Sequence, residues 1–239
     1  MQLHSFHNKF LARKDLMNTT LLDNPVWHAL NSHHRHLAIR GNLAARYQLE
    51  TLMAAAMSEY NTAEFTDLKN LVETHEIIGV MGTSPQAGPD WEIVQTFHVP
   101  QMICKELKHI EPVHAVHLTS EDVPDMLALV ALAQPGPFIP RTIEMGQYLG
   151  IRQDGQLVAM AGERLHLPGF CEISAVCTHP DYRGRGYGGA LTTMVATAII
   201  ARGEVPFLHV VNEVAARLYE KLGFRFRKEI PVTVLKRLA

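Results

Sequence analysis

Residues 172–188 read Glu172-Ile173-Ser174-Ala175-Val176-Cys177-Thr178-His179-Pro180-Asp181-Tyr182-Arg183-Gly184-Arg185-Gly186-Tyr187-Gly188. An apolar strand is expected over 170–177. His179-Pro180 ends it, because proline biases its predecessor away from helix and donates nothing to a ladder. A glycine-rich turn follows. From Tyr187 onward Leu191, Met194, Val195, Ala198 and Ile199 recur at helical spacing, until Gly203 closes the run. The segment is therefore strand, turn, helix. Glycines let a backbone approach a ligand and adopt positive φ. The free N–H groups at a helix start, with the positive end of its dipole, attract anions. Arg183 and Arg185 add charge and forked donors suited to phosphate. Chemically the turn is a phosphate cradle. It lacks the Gly-Lys-Ser/Thr of a Walker loop, and Gly184-x-Gly186-x-Gly188 does not have the G-x-G-x-x-G spacing of a dinucleotide fingerprint.

Downstream, 207–211 reads as a short buried strand. Asn212 is placed to cap a helix carrying Val214, Ala215, Leu218, Tyr219 and Leu222, which Gly223 ends. Strands over 224–227 and 232–235 finish the chain. Upstream, 147–152 and 156–165 are strands joined by Asp154-Gly155, a hairpin signal because both turn positions favour positive φ. Before them, 113–118 alternates as a strand, and Thr119 or Ser120 caps a helix with Glu121 and Asp122 in its first turn. Gln134-Pro135-Gly136-Pro137 stops that helix. The order β-α-β-β-β-α-β-α-β implies an α/β or α+β sheet with helices packed on it.

Two spacings stand out: Arg183-x-x-Gly186-x-Gly188 and Asn212-x-x-Ala215-x-x-Leu218-Tyr219-Glu220-Lys221-Leu222-Gly223-Phe224. In this order they resemble the GNAT N-acetyltransferase superfamily, the first being similar to its coenzyme A pyrophosphate loop. Within it, the phrase from Val176 to Gly184 is similar to the FR47-like group. The resemblance covers residues 113–239. It implies a GNAT-like mixed, mostly antiparallel central sheet with splayed parallel strands and flanking helices. It also implies acetyl-CoA as cosubstrate and direct transfer of an acetyl (acyl) group to an amine of a small molecule, amino acid or peptide. By the same resemblance the cofactor arm would meet Val176, Cys177 and Thr178. The pyrophosphate would meet Arg183, Gly184, Arg185, Gly186, Tyr187, Gly188 and Gly189. Asn212 would either touch the arm or simply cap its helix. Tyr219 matches the family's general acid, and Glu172 stands where some members carry a base. Strand alternation places Glu172, Ser174, Val176 and Thr178 on one face, and burial there would raise the Glu172 pKa toward that of a working base. The bland alternatives are a core aromatic for Tyr219 and an exposed strand-end carboxylate for Glu172. Cys177 could suggest a thiol nucleophile, but no His–Asp partner pattern surrounds it.

The first 110 residues carry neither motif. A helix over 43–57, rich in Ala, Leu and Met, and a short one over 65–72 precede strands over 76–81 and 91–102, with loop chemistry between them from Gly82 to Pro89. Residues 1–110 are read as an accessory α+β domain, a degenerate GNAT-like half that helps shape the acceptor site beside the transferase domain of 111–239.

Composition narrows the field. With 47% apolar and 19% charged residues the chain builds ordinary cores, and a net charge of −2 argues against nucleic acid as a partner. No stretch approaches the ~20 apolar residues that span a bilayer, and the N-terminus, with His4, His7, Lys9 and Arg13, lacks a compact apolar signal region. Cys104, Cys171 and Cys177 form no C-x-x-C pair, which suits free thiols in a reducing cytoplasm. His33, His34 and His36 lack a helical i, i+4 pair or a cysteine partner, so they read as polar surface and no metal is expected. Two rivals keep the phosphate turn: a non-catalytic CoA-binding regulatory module, and a module that binds ATP. The acceptor, the acyl preference and the oligomeric state, a dimer included, stay open.

Overall fold

The computed structural model describes residues 18–82 and 87–239. The N-terminal residues read above for a signal region, and 83–86 of the 82–89 loop, lie outside the described residues. The strands are β1 (Ala38–Arg40), β2 (Ala44–Tyr47), β3 (Ala54–Met57), β4 (Ile77–Met81), β5 (Trp91–Cys104), β6 (Val116–Leu118), β7 (Tyr148–Gln153), β8 (Gln156–Leu167), β9 (Phe170–Thr178), β10 (Val205–His209) and β11 (Phe224–Arg237). The α-helices are α1 (Pro25–Leu30), α2 (Thr62–Lys69), α3 (Val123–Ala133), α4 (Tyr187–Ala201) and α5 (Glu213–Lys221).

All the strands join one sheet in the order β1-β2-β3-β4-β11-β5-β10-β9-β8-β7-β6. Pairing is antiparallel except for β3 with β4 and β9 with β10. The sheet crosses the division near residue 110: β5, from the N-terminal half, lies between β10 and β11. β11 in turn pairs with both β4 and β5. On one face α4 and α5 cover a core that includes Cys171, Ile173, Leu191, Leu208 and Tyr219. On the other, α1 covers a core that includes Tyr47, Ile103, Phe170 and Phe207.

The local signals hold where the turn chemistry is strong. Asp154 and Gly155 take φ of 48° and 81° in the β7–β8 hairpin. Thr119 caps through a reciprocal pair with Asp122, and Gln134 turns left-handed to end α3. Four expectations need correction. Residues 43–57 form β2, a turn and β3 rather than a helix. Ala44, Ala45, Ala55 and Ala56 are buried, and small side chains there let the sheet pack closely against its neighbours, so tertiary packing overrides helix propensity. The two final strands are one, β11, with a bulge between Phe226 and Lys228. The buried strand expected at 207–211 starts and ends two residues earlier: its pairing with β9 stops at Phe207 and its pairing with β5 at His209. His34 is buried and does not belong to a polar surface: its ring bonds the Tyr47 hydroxyl at 2.8 Å and the Met145 carbonyl at 3.0 Å.

Candidate active site

The site begins where two parallel strands part. The β9–β10 pairing runs from Phe170/Val205 to Glu172/Phe207 and stops, although β9 continues to Thr178. A bulge lies just beyond the parting. Between Gly162/Ser174 and Met160/Cys177 the β9 strand carries one residue more than β8, and Ala175 there takes φ of 53°. An extra residue reverses the alternation. Ile173 and Val176 consequently pack against the α4 side, whereas Ala175 and Cys177 join the core beneath α3. Glu172, Ser174, Val176 and Thr178 therefore do not share a single face, because simple period-2 alternation fails at the bulge.

The opening leads into a cleft of about 920 Å³. At one end lies the turn from Arg183 to Gly188. Gly184 and Gly186 take φ of 77° and 79°, and a Cβ on either would meet nothing within 4 Å, so backbone conformation rather than space selects glycine there. Such φ values cost any other residue strain. No side chain caps the first turn of α4, which leaves its leading N–H groups for an anion. The Arg185 guanidinium lies 4.8 Å from the centre of the Tyr182 ring, and Arg183 lines the same wall. Gly188 and Gly189 bring α4 close to Leu218 of α5. These features suit a diphosphate. Val176, Cys177 and Thr178 line the parted edge of β9, and Tyr187, Gly188, Gly189 and Asn212 line the cleft with them. The Asn212 side chain accepts from the Ala215 N–H at 2.9 Å, so the cap role is realised. The Cys177 thiol is buried and pushed up to about 12, which keeps it protonated and inert as a nucleophile.

Tyr219 reaches the cleft from α5. Burial pushes its hydroxyl up to about 12, so it carries its proton at neutral pH. Glu172 sits deeper, 1% exposed. Arg164 donates to it from Nε and Nη2 at 2.9 and 2.7 Å, His209 from Nδ1 at 2.7 Å, and the Leu165 N–H at 3.3 Å. Burial alone would raise its pKa as the sequence suggests. The Arg164 charge, with the Arg164 and His209 hydrogen bonds, outweighs burial and holds the carboxyl well below the usual range. The expectation of a raised Glu172 pKa is thus overturned by partners that lie far away in sequence. The far nitrogen of His209 is 3.1 Å from the Gln101 amide nitrogen, whose oxygen accepts from Arg227 at 2.9 Å. That oxygen's role makes the Gln101 nitrogen the donor, so the His209 proton sits on Nδ1.

Away from the cleft, His33 stacks on His166, whose Nε2 lies 2.5 Å from Glu204. These three bring possible ligand atoms within 4.8 Å of one another. No described helix is long and apolar enough to cross a membrane.

Parted parallel strands over an anion-binding turn, with a protonated tyrosine at the parting, define an acyl-CoA transferase type of site. The comparisons agree. Residues 148–231 match the FR47-like protein family. The chain is 36% identical to a solved structure from Novosphingobium aromaticivorans assigned as a GNAT-family acetyltransferase, covering 91% of this chain and 99% of that one with a TM-score of 0.83. The chain belongs to the GNAT family. A GCN5-related N-acetyltransferase from Kribbella flavida shares the fold at 16% identity and a TM-score of 0.58, over 89% of this chain and 96% of its own. Among curated relatives, a mycothiol acetyltransferase of Corynebacterium aurimucosum is 35% identical over 65 residues, 26% of this chain and 21% of its own. An acetyltransferase of Yersinia pestis is 39% identical over 56 residues, 22% of this chain and 39% of its own. The matched stretch thus spans well under half the length of these curated relatives.

Proposed function

We propose that the chain is an N-acetyltransferase that moves an acetyl group from acetyl-CoA directly to an amine, with Tyr219 as the proton donor. The observation that carries this is the continuity of one cleft lined by the Gly184–Gly188 turn, the free edge of β9 and Tyr219. Arg183, Arg185 and the first N–H groups of α4 hold the diphosphate, and the amides around Val176 and Thr178 align the pantetheine arm. The thioester supplies an electrophilic carbonyl: the C–N bond to the amine forms as the C–S bond breaks. The surplus proton on nitrogen leaves to water. Tyr219 gives its proton to the departing sulfur and recovers one from solvent, which balances the transfer.

Glu172 enters as a positioning residue. Its charge is committed to Arg164 and His209, and a carboxylate held at low pKa has little drive to take a proton from an amine. Water is the base in its place. The N-terminal half contributes Met81, Phe97 and Val99 to the cleft wall, and in this reading they shape the acceptor end.

A thiol-release assay with acetyl-CoA and an amine panel tests the reaction, comparing the wild type with Tyr219→Phe. The variant should keep its CoA affinity and lose about 10²-fold in kcat at neutral pH, the scale of one general acid. An unchanged kcat removes Tyr219 from the proton path. CoA binding with no thiol release for any amine would instead favour the regulatory module.

A further inference from the structure

The far end of the cleft, beyond Tyr219, has a chemistry of its own. Val232 of β11 pairs with Phe97 of β5 on one side and with Met81 of β4 on the other. The three side chains therefore form one row across neighbouring strands, and a row shares a face of the sheet. Val99 stands two residues beyond Phe97 on β5, on the same face. All four line the cleft, and Phe97 is 37% exposed. Farther along that face Gln101 meets His209, which leads to Glu172 and Arg164.

Charge is distributed unevenly around this cleft. Among the described residues no Asp or Glu lines it. Its charged side chains are Arg164, Arg183, Arg185, Arg217 and Lys221. The last four belong to the turn and to α5, at the donor end. Arg164, at the other end, is neutralised by its bidentate bond to Glu172. A second positive charge on an acceptor would therefore lose its hydration against an apolar wall and find no carboxylate to replace it. An amine on a hydrocarbon or aromatic body meets the opposite conditions. Its body buries against Met81, Phe97, Val99 and Val232, and its single nitrogen, deprotonated for attack, loses little solvation.

We propose that the Met81–Val232–Phe97 row, with Val99, is the acceptor subsite, and that it takes a small primary amine carried on an apolar body with no second cationic group. This rests on the acetyl-transfer reading above.

The test measures kcat/KM by thiol release for 2-phenylethylamine, hexylamine, spermidine and a lysine-rich peptide, with the CoA Kd of each protein measured separately by calorimetry. The apolar monoamines should exceed spermidine and the peptide by 100-fold or more. Val99→Asp and Phe97→Asp should lower kcat/KM for the monoamines at least tenfold and narrow that preference, with the CoA Kd within twofold of wild type. The unchanged CoA Kd shows that the variants have folded. Equal or better transfer to spermidine or the lysine-rich peptide overturns the subsite's stated chemistry while leaving acetyl transfer intact. Two variants with wild-type selectivity overturn its location. No transfer to any amine, with CoA still bound, overturns both this inference and the reading on which it rests.

Discussion

At the scale of single residues, the site is organised by what each charge is already doing. Glu172 illustrates the point: by type and position it resembles a base, yet its two oxygens are occupied by Arg164 and His209. Removing that charge isolates Arg164, whose side chain is 12% exposed beside a carboxylate 1% exposed. Breaking one partner of a buried ion pair typically costs about 3–5 kcal/mol. Glu172→Gln should therefore lower stability by roughly that amount, read as a shift in urea midpoint at pH 7. The sign with pH follows from the depressed carboxyl: its contribution is fully present above the unfolded pKa near 4.5 and is lost as pH falls below it. The gap between Glu172→Gln and wild type should accordingly narrow in acid. A constant gap from pH 7 down to pH 3 would mean that the ion pair does not carry the difference. None of this network was legible in the sequence. Arg164, His209 and Gln101 are ordinary residues until the sheet brings them together, and only the glutamate carried a recognisable position.

At the scale of elements, the strand–turn–helix from Glu172 to Ala201 decided the fold correctly, because its signals are local: a proline stop, glycines at positive φ, and helical spacing behind them. The bulge at Ala175 was hidden, since nothing in Ser174-Ala175-Val176 demands an extra residue. It shows only in the pairing, where the β8–β9 register shifts by one residue between Met160/Cys177 and Gly162/Ser174. The helix expected over 43–57 failed for the complementary reason. Alanine favours helix in isolation, and here four buried alanines serve a sheet instead. The turn offers an element-level test. Gly186 holds φ of 79° with open space where a side chain would point, so Gly186→Ala introduces backbone strain of about 1–3 kcal/mol without a clash. CoA should bind about tenfold or more weakly, with little change in the folded far-UV spectrum. Unaltered affinity would show that the diphosphate does not rest on this backbone.

At the scale of the whole molecule, one sheet joins the two halves of the chain and carries both proposed ends of the cleft. β5 belongs to the first 110 residues yet separates β10 from β11, and His34 bonds the Met145 carbonyl from across the chain. A segment of residues 111–239 alone would expose the edges of β10 and β11 that β5 covers. It should lack cooperative unfolding and bind no CoA; a folded, CoA-binding segment would show that the halves are independent. The proposed donor end follows a short motif, because a diphosphate demands a particular turn. The proposed acceptor end draws on single residues of β4, β5 and β11, and no short pattern records it. The claim on which all else depends is that the Arg183–Gly188 turn receives coenzyme A. Calorimetric titration of the full chain with CoA and, separately, with ATP tests it most directly. One equivalent of CoA should bind, markedly tighter than ATP; binding of ATP alone would contradict the assignment.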